Sequence, residues 1–131
     1  MIFIDTSAWY ARLIPSDPNH EAARKWSEQN QDTFITTDYV IDETLTLLKV
    51  RGQVKCALAL GDALFKGDLA KIHYLGQEEI IEAWRQFREF RDKDWSFTDI
   101  SSKVIMEKLS IRKVFAFDRH FRQFGSFEVI P

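Results

Sequence analysis

The chain carries one cysteine, Cys56, in 131 residues. That excludes an internal disulfide and any metal cluster built on several cysteines. A basic surplus is also missing. Eighteen Lys and Arg stand against 20 Asp and Glu, for a formal charge of −2 and a pI near 5.9. No global positive field therefore advertises nucleic-acid binding, although an acidic face beside basic segments around Arg85–Lys93 and Ile111–Arg122 would give the same sum. No apolar run approaches the ~20 residues of a membrane span. The opening "MIFIDTSAW" lacks the basic start and cleavage pattern of a signal peptide, so the expected location is the cytoplasm, with no membrane partner. Only five glycines are present, with no G-x-G-x-x-G and no G-x-x-x-x-G-K, which disfavours dinucleotide-binding and P-loop enzymes. The histidines, His20, His73 and His120, are scattered without a metal-binding spacing such as H-E-x-x-H.

What is present is core material and alternation. Hydrophobic residues make up 45% and aromatics 14% of the chain. A domain of this length buries roughly 68% of its unfolded surface. Short β-rich runs alternate with helix-period segments. Ile2–Ile4, "TFITT", "KIHYL", "KVFAF" and "FEVI" read as strands. The helices expected are one from near Ser7, "HEAARKWSEQ", Asp38 to about Arg51, "VKCALALGDALF", "EEIIEAWRQFREFRD" and "TDISSKVIMEKL". Gly52 marks a helix end and Asp17-Pro18-Asn19 a turn. The alternation predicts one α/β domain over residues 1–131, a parallel sheet covered by helices with right-handed crossovers.

Two acids stand at the ends of predicted strands: Asp5 after the first and Asp118 after the fourth. In open α/β sheets the carboxyl ends of the strands form the binding edge. If the first and fourth strands are neighbours, the two carboxylates lie side by side. Each also has a structural reading. "DTS" is good helix-cap chemistry for Asp5, though Thr6 or Ser7 would serve as the cap equally well. "DRHF" could be a capped helical turn, with Arg119 or His120 pairing to Asp118. Glu43 shares a helix face with Val40 and Leu47, while Asp42 groups with Asp38, Thr46 and Lys49 on the wet face. An ionised glutamate beside a core face is costly unless something compensates it. Ser96 and Asp99 have capping-box spacing, with Thr98 as a rival cap, and Asp94 reads as a solvated loop charge. Should the four acids converge, each pair ~4 Å apart repels by roughly 4 kcal/mol at an effective dielectric of 20. A divalent cation neutralises such a cluster. All-oxygen donors suit Mg²⁺ or Mn²⁺, the ions of phosphodiester hydrolysis.

"FIDTSAW", "DYVIDETLTLL", "DWSFTDISS" and "VFAFDRHFRQFG", in this order across nearly the whole chain, resemble the PIN domain family, and within it the VapC-type toxin ribonucleases of toxin–antitoxin pairs. The resemblance implies a three-layer α/β/α fold whose five parallel strands run in the order 3-2-1-4-5. It implies a metal-dependent endoribonuclease that cuts single-stranded RNA and leaves 5′-phosphate and 3′-hydroxyl ends. Asp5 and Asp99 would be the direct metal ligands. Glu43 would help bind metal or activate water, and Asp118 would act directly or through a bound water. Thr6, Ser7, Ser96 and Thr98 would orient carboxylates or touch phosphate, and His120 would contact phosphate. Ile100 stands where relatives often carry a smaller residue. A homodimer and a cognate antitoxin are the implied partners, the antitoxin filling an apolar groove for which Trp9, Tyr10, Leu13 and Trp26 are candidates unless they belong to the core. The rival from another class is a non-catalytic PIN-like scaffold or RNA-binding module, which would bind its partners without depending on Asp5 or Asp99.

Overall fold

A computed structural model describes all residues, Met1–Pro131. Five strands form one parallel sheet: β1 (Ile2–Ile4), β2 (Phe34–Thr37), β3 (Lys71–His73), β4 (Lys113–Phe115) and β5 (Glu128–Ile130). Their order across the sheet is β3-β2-β1-β4-β5, as the resemblance implies. Seven helices make the connections: α1 (Thr6–Leu13), α2 (His20–Gln29), α3 (Asp38–Val50), α4 (Val54–Phe65), α5 (Gln77–Glu89), α6 (Phe97–Lys108) and α7 (Arg119–Phe124). Every residue of β1 and β2 is buried, although successive side chains point to opposite faces. Both faces of the sheet are therefore covered, which makes the arrangement three-layered.

The strands are shorter than the apolar runs suggest. "KVFAF" pairs as a strand only to Phe115, so Ala116 and Phe117 intervene before Asp118. Asp118 therefore leads a helix, α7, rather than ending a strand. The expected third strand likewise stops at His73. What matters for the site is register. Ile4 pairs with Phe115 and Phe3 with Val114, so β1 and β4 end level. The Asp5 amide then donates to the Phe115 carbonyl at 3.1 Å. Both acidic segments leave the sheet at the same edge.

The main core packs β1, β2 and β4 against α1, α3, α4 and the end of α6. Trp9 is 1% exposed there. Trp26 lies 4.5 Å from Phe115, ring centre to ring centre. Trp9 is therefore a core residue and no part of a groove, which corrects that expectation for Trp9, while Trp26 is half-buried against the core. Tyr10 and Leu13 stay half-buried. The exposed apolar side chains lie elsewhere: Val54, Leu58 and Phe65 on α4, Ile81 and Trp84 on α5. Trimming Phe115 to alanine should lower the unfolding free energy by about 3–5 kcal/mol. Leu58→Ser on the open face of α4 should change it by less than about 0.5 kcal/mol. Urea denaturation of the two variants checks both.

Candidate active site

The site forms where β1, α3, α6 and α7 present acids to one edge. Asp5 turns out to be the cap of α1 itself, rather than leaving that role to Thr6 or Ser7. Its Oδ2 accepts from the Ser7 amide at 3.1 Å and from Ser7 Oγ at 2.6 Å. Asp118 caps α7, its Oδ1 accepting from the His120 amide at 2.8 Å. Asp99 shares the expected capping box with Ser96. The Asp99 amide donates to Ser96 Oγ at 3.0 Å, and the Ser96 amide to Asp99 Oδ2 at 3.1 Å. Capping thus occupies one oxygen of each aspartate. Oδ1 of Asp5, Oδ1 of Asp99 and Oδ2 of Asp118 take no hydrogen bond. Cap and ligand are not competing readings here, because a carboxylate has a second oxygen with free lone pairs.

Glu43 rides on α3, half-buried beside Leu47, while Asp42 is exposed, as the helical spacing predicts. The electrostatics bring the four together. Burial pushes the Asp5 carboxyl up to about 7; Ser7 opposes this, and the charges of Asp99 and Glu43 add to it. Burial also raises Glu43, helped by Asp99 and Asp118 and resisted by the hydroxyls of Thr6 and Thr98. Asp99 is raised by burial and by Asp118. Three carboxyls are thus held above their ordinary range, by burial first and by neighbouring acids second.

His120 is the local counterion. Its Nδ1 lies 2.5 Å from Asp99 Oδ2 and 3.2 Å from Asp118 Oδ1, and its Nε2 lies 3.3 Å from Asp94 Oδ1. Burial pulls the imidazole pKa down, but the three acids outweigh it and hold it above its usual value. Donor atoms of Asp99, Asp118 and His120 all fall within 4.8 Å of one another. Nδ1 lies within hydrogen-bond distance of Asp99, so the ring ties the cluster together, and its nitrogen belongs to the same group of possible metal donors. Asp94 is the exposed charge expected; it pairs with Arg119 at 2.5 Å and also reaches His120. No spacing rule marks it; its signal is only that it precedes the "WSFTD" cap. The free oxygens of a carboxylate cluster fit a hard dication such as Mg²⁺ or Mn²⁺.

A cleft of about 360 Å³ opens onto Asp5, Glu43 and Asp118, with Tyr10, Leu47 and Arg51 along its wall. Another cavity, about 560 Å³, lies beside Met1, Lys71 and Lys113 at the opposite edge of the sheet. It is larger, yet none of the clustered acids reaches it. The sequence offers Tyr10 only as a groove candidate and Arg51 only as a helix end, although Glu43, Leu47 and Arg51 stand four residues apart on one helix face.

A parallel sheet ordered 3-2-1-4-5 with acids clustered on its carboxyl edge defines a class of acidic-site α/β domain. The match to the PIN domain family spans residues 2–126, and the chain belongs to that family. Over 131 residues it is 30% identical to the 23S rRNA-specific endonuclease VapC20 of Mycobacterium tuberculosis, covering 100% of this chain and 99% of that protein. It is 28% identical to Ribonuclease VapC26 of the same organism over 136 residues, 99% of this chain and 100% of that one. The crystal structure of VapC20, described as a sarcin–ricin loop cleaving toxin, superposes with a TM-score of 0.92 over the full length of both chains at 28% identity. FitAcB from Neisseria gonorrhoeae shares the fold, with a TM-score of 0.71 at 17% identity over 100% of this chain and 97% of that one.

Because Asp5 titrates near 7 in the folded chain and near 3.8 unfolded, the folded state holds the extra proton between those values. Stability of the metal-free protein should therefore rise as pH falls from 8 toward 5. Asp5→Asn should raise the unfolding free energy by about 1–3 kcal/mol at pH 8, an advantage that shrinks toward pH 5. Denaturation of both proteins in chelator across that range reads the difference.

Proposed function

We propose that this chain, as one domain of residues 1–131, is a Mg²⁺- or Mn²⁺-dependent endoribonuclease that hydrolyses single-stranded RNA, and that it is the toxin of a type II toxin–antitoxin pair acting in the cytoplasm. The observation that carries the reading is the set of free carboxylate oxygens on Asp5, Asp99 and Asp118, together with the raised carboxyl of Glu43. Asp5 and Asp99 would hold the cation, with Asp118 completing the set directly or through a water. A cation there supplies Lewis-acid charge to the phosphate. Glu43, with a carboxyl shifted up from its ordinary value, is suited to take the proton from the attacking water. Attack at phosphorus then leaves 5′-phosphate and 3′-hydroxyl ends. His120 keeps Asp99 and Asp118 oriented, the Ser96 amide also holds Asp99, and Ser7 holds Asp5. Thr6 and Thr98 face Glu43.

The similarity to VapC20 makes an exposed loop of large ribosomal RNA the first substrate to try. Open apolar side chains on α4 and α5 offer surfaces for a second copy of the chain and for an antitoxin. A synthetic stem-loop RNA carrying the sarcin–ricin loop sequence, incubated with Mg²⁺, should be cut at one position. Chelator should abolish the cut, and Asp5→Asn or Asp99→Asn should slow it by about 10²-fold or more. Cleavage indifferent to chelator and to both substitutions would sink the reading. So would a folded protein that binds no divalent cation and cuts neither this RNA nor a mixed RNA pool, which would favour the scaffold.

A further inference from the structure

Eleven residues line the active-site cleft, and Arg51 is the one cation among them, facing Asp5, Asp17, Glu43 and Asp118. A guanidinium beside four acids ordinarily forms an ion pair. Arg51 forms none. Its guanidinium carbon sits instead 4.8 Å from the centre of the Tyr10 ring. That stacking uses the face of the guanidinium and leaves the N–H edge open for a planar or tetrahedral oxyanion.

The placement is built from both ends. Arg51 is the C-cap of α3, its amide donating to the carbonyls of Leu47 and Lys49, and Gly52 at φ 77° turns the chain away immediately after it. Tyr10 is held half-buried on α1, which packs on α3. Glu43, Leu47 and Arg51 follow one another at four-residue spacing, so Arg51 lies ~12 Å along the helix axis from Glu43. That offset takes it past the group undergoing chemistry and toward the next stretch of a bound strand.

We propose that Arg51, held by stacking on Tyr10, is the residue that grips the phosphate of a nucleotide flanking the cleavage point and sets the register of the RNA strand in the cleft. The proposal rests on the endoribonuclease reading. It also answers how a chain of net charge −2, with an acidic site, holds a polyanion. One preorganised cation sits on the strand's path, and the acids are left to the dication.

The test is steady-state cleavage of the RNA that wild type cuts fastest in a mixed pool, measured from 50 to 200 mM KCl for wild type, Arg51→Ala, Arg51→Lys and Tyr10→Ala. Arg51→Ala should raise KM by about 5- to 20-fold with kcat within about twofold. It should also flatten the log–log dependence of kcat/KM on salt by about 0.7, the value for one lost phosphate contact on a single strand. Arg51→Lys should restore the salt slope but only part of the KM, because the charge returns without the stacked geometry. Tyr10→Ala should raise KM and keep the slope. Wild-type KM and salt slope in Arg51→Ala overturn the proposal, as does a change confined to thermal stability. If wild type cuts no RNA with Mg²⁺ present, the nuclease reading fails and takes this proposal with it, an outcome distinct from active wild type with an indifferent Arg51→Ala.

Discussion

One hydroxyl joins the two halves of the acidic edge. Ser7 Oγ donates to Asp5 Oδ2 at 2.6 Å and accepts from the Phe117 amide at 3.0 Å, across 110 residues of chain. It therefore fixes the first turn of α1, the rotamer of Asp5 and the exit of the chain from β4 at once. The backbone bond from Asp5 to Phe115 runs alongside it. Remove that tie and Asp118, one residue beyond Phe117, loses its fixed distance from Asp5. Buried hydrogen bonds of this kind contribute only about 1 kcal/mol each. Their value here lies in geometry, since carboxylates at a cation site must be held to within a fraction of an ångström.

The same edge holds a standing conflict. Desolvation and repulsion raise Asp5, Glu43 and Asp99 together, and the fold answers with a single imidazole, His120, whose own pKa is raised by Asp99, Asp118 and Asp94. One ring beside four acids leaves most of that conflict in place. Active sites characteristically keep strain of this kind, offset by stability elsewhere. In this chain the aromatic cluster of Trp9, Phe34, Trp26 and Phe115, packed against the sheet, contributes to that stability.

Helix capping also explains why aspartate recurs at these positions. A helix start needs an acceptor for its free amides, and a short carboxylate meets that need with one oxygen. At Asp5, Asp99 and Asp118 three helix starts each leave a second oxygen free, and donor atoms of Asp99 and Asp118 lie within 4.8 Å of each other. The partial positive charge of those helix ends eases the crowding of anions. Glu43 is the exception. It comes from the middle of α3 and reaches the cluster through its longer side chain.

Much of this was legible in the residues themselves. Short β-rich runs of three to five residues, separated by helix-period segments, argued for a parallel sheet, and Gly52 marked a helix end. The inward side of Glu43 followed from its distance to Val40 and Leu47. The four acids were also readable as candidates, since each stood at a predicted element boundary or on a core face. Four matters were settled by the tertiary structure: that β1 and β4 are level neighbours, that Trp9 is core, that Asp94 reaches His120, and that Arg51 lies over Tyr10. Each depends on packing between segments distant in sequence. Periodicity reports which face of an element is dry; it carries no information about which other element covers that face.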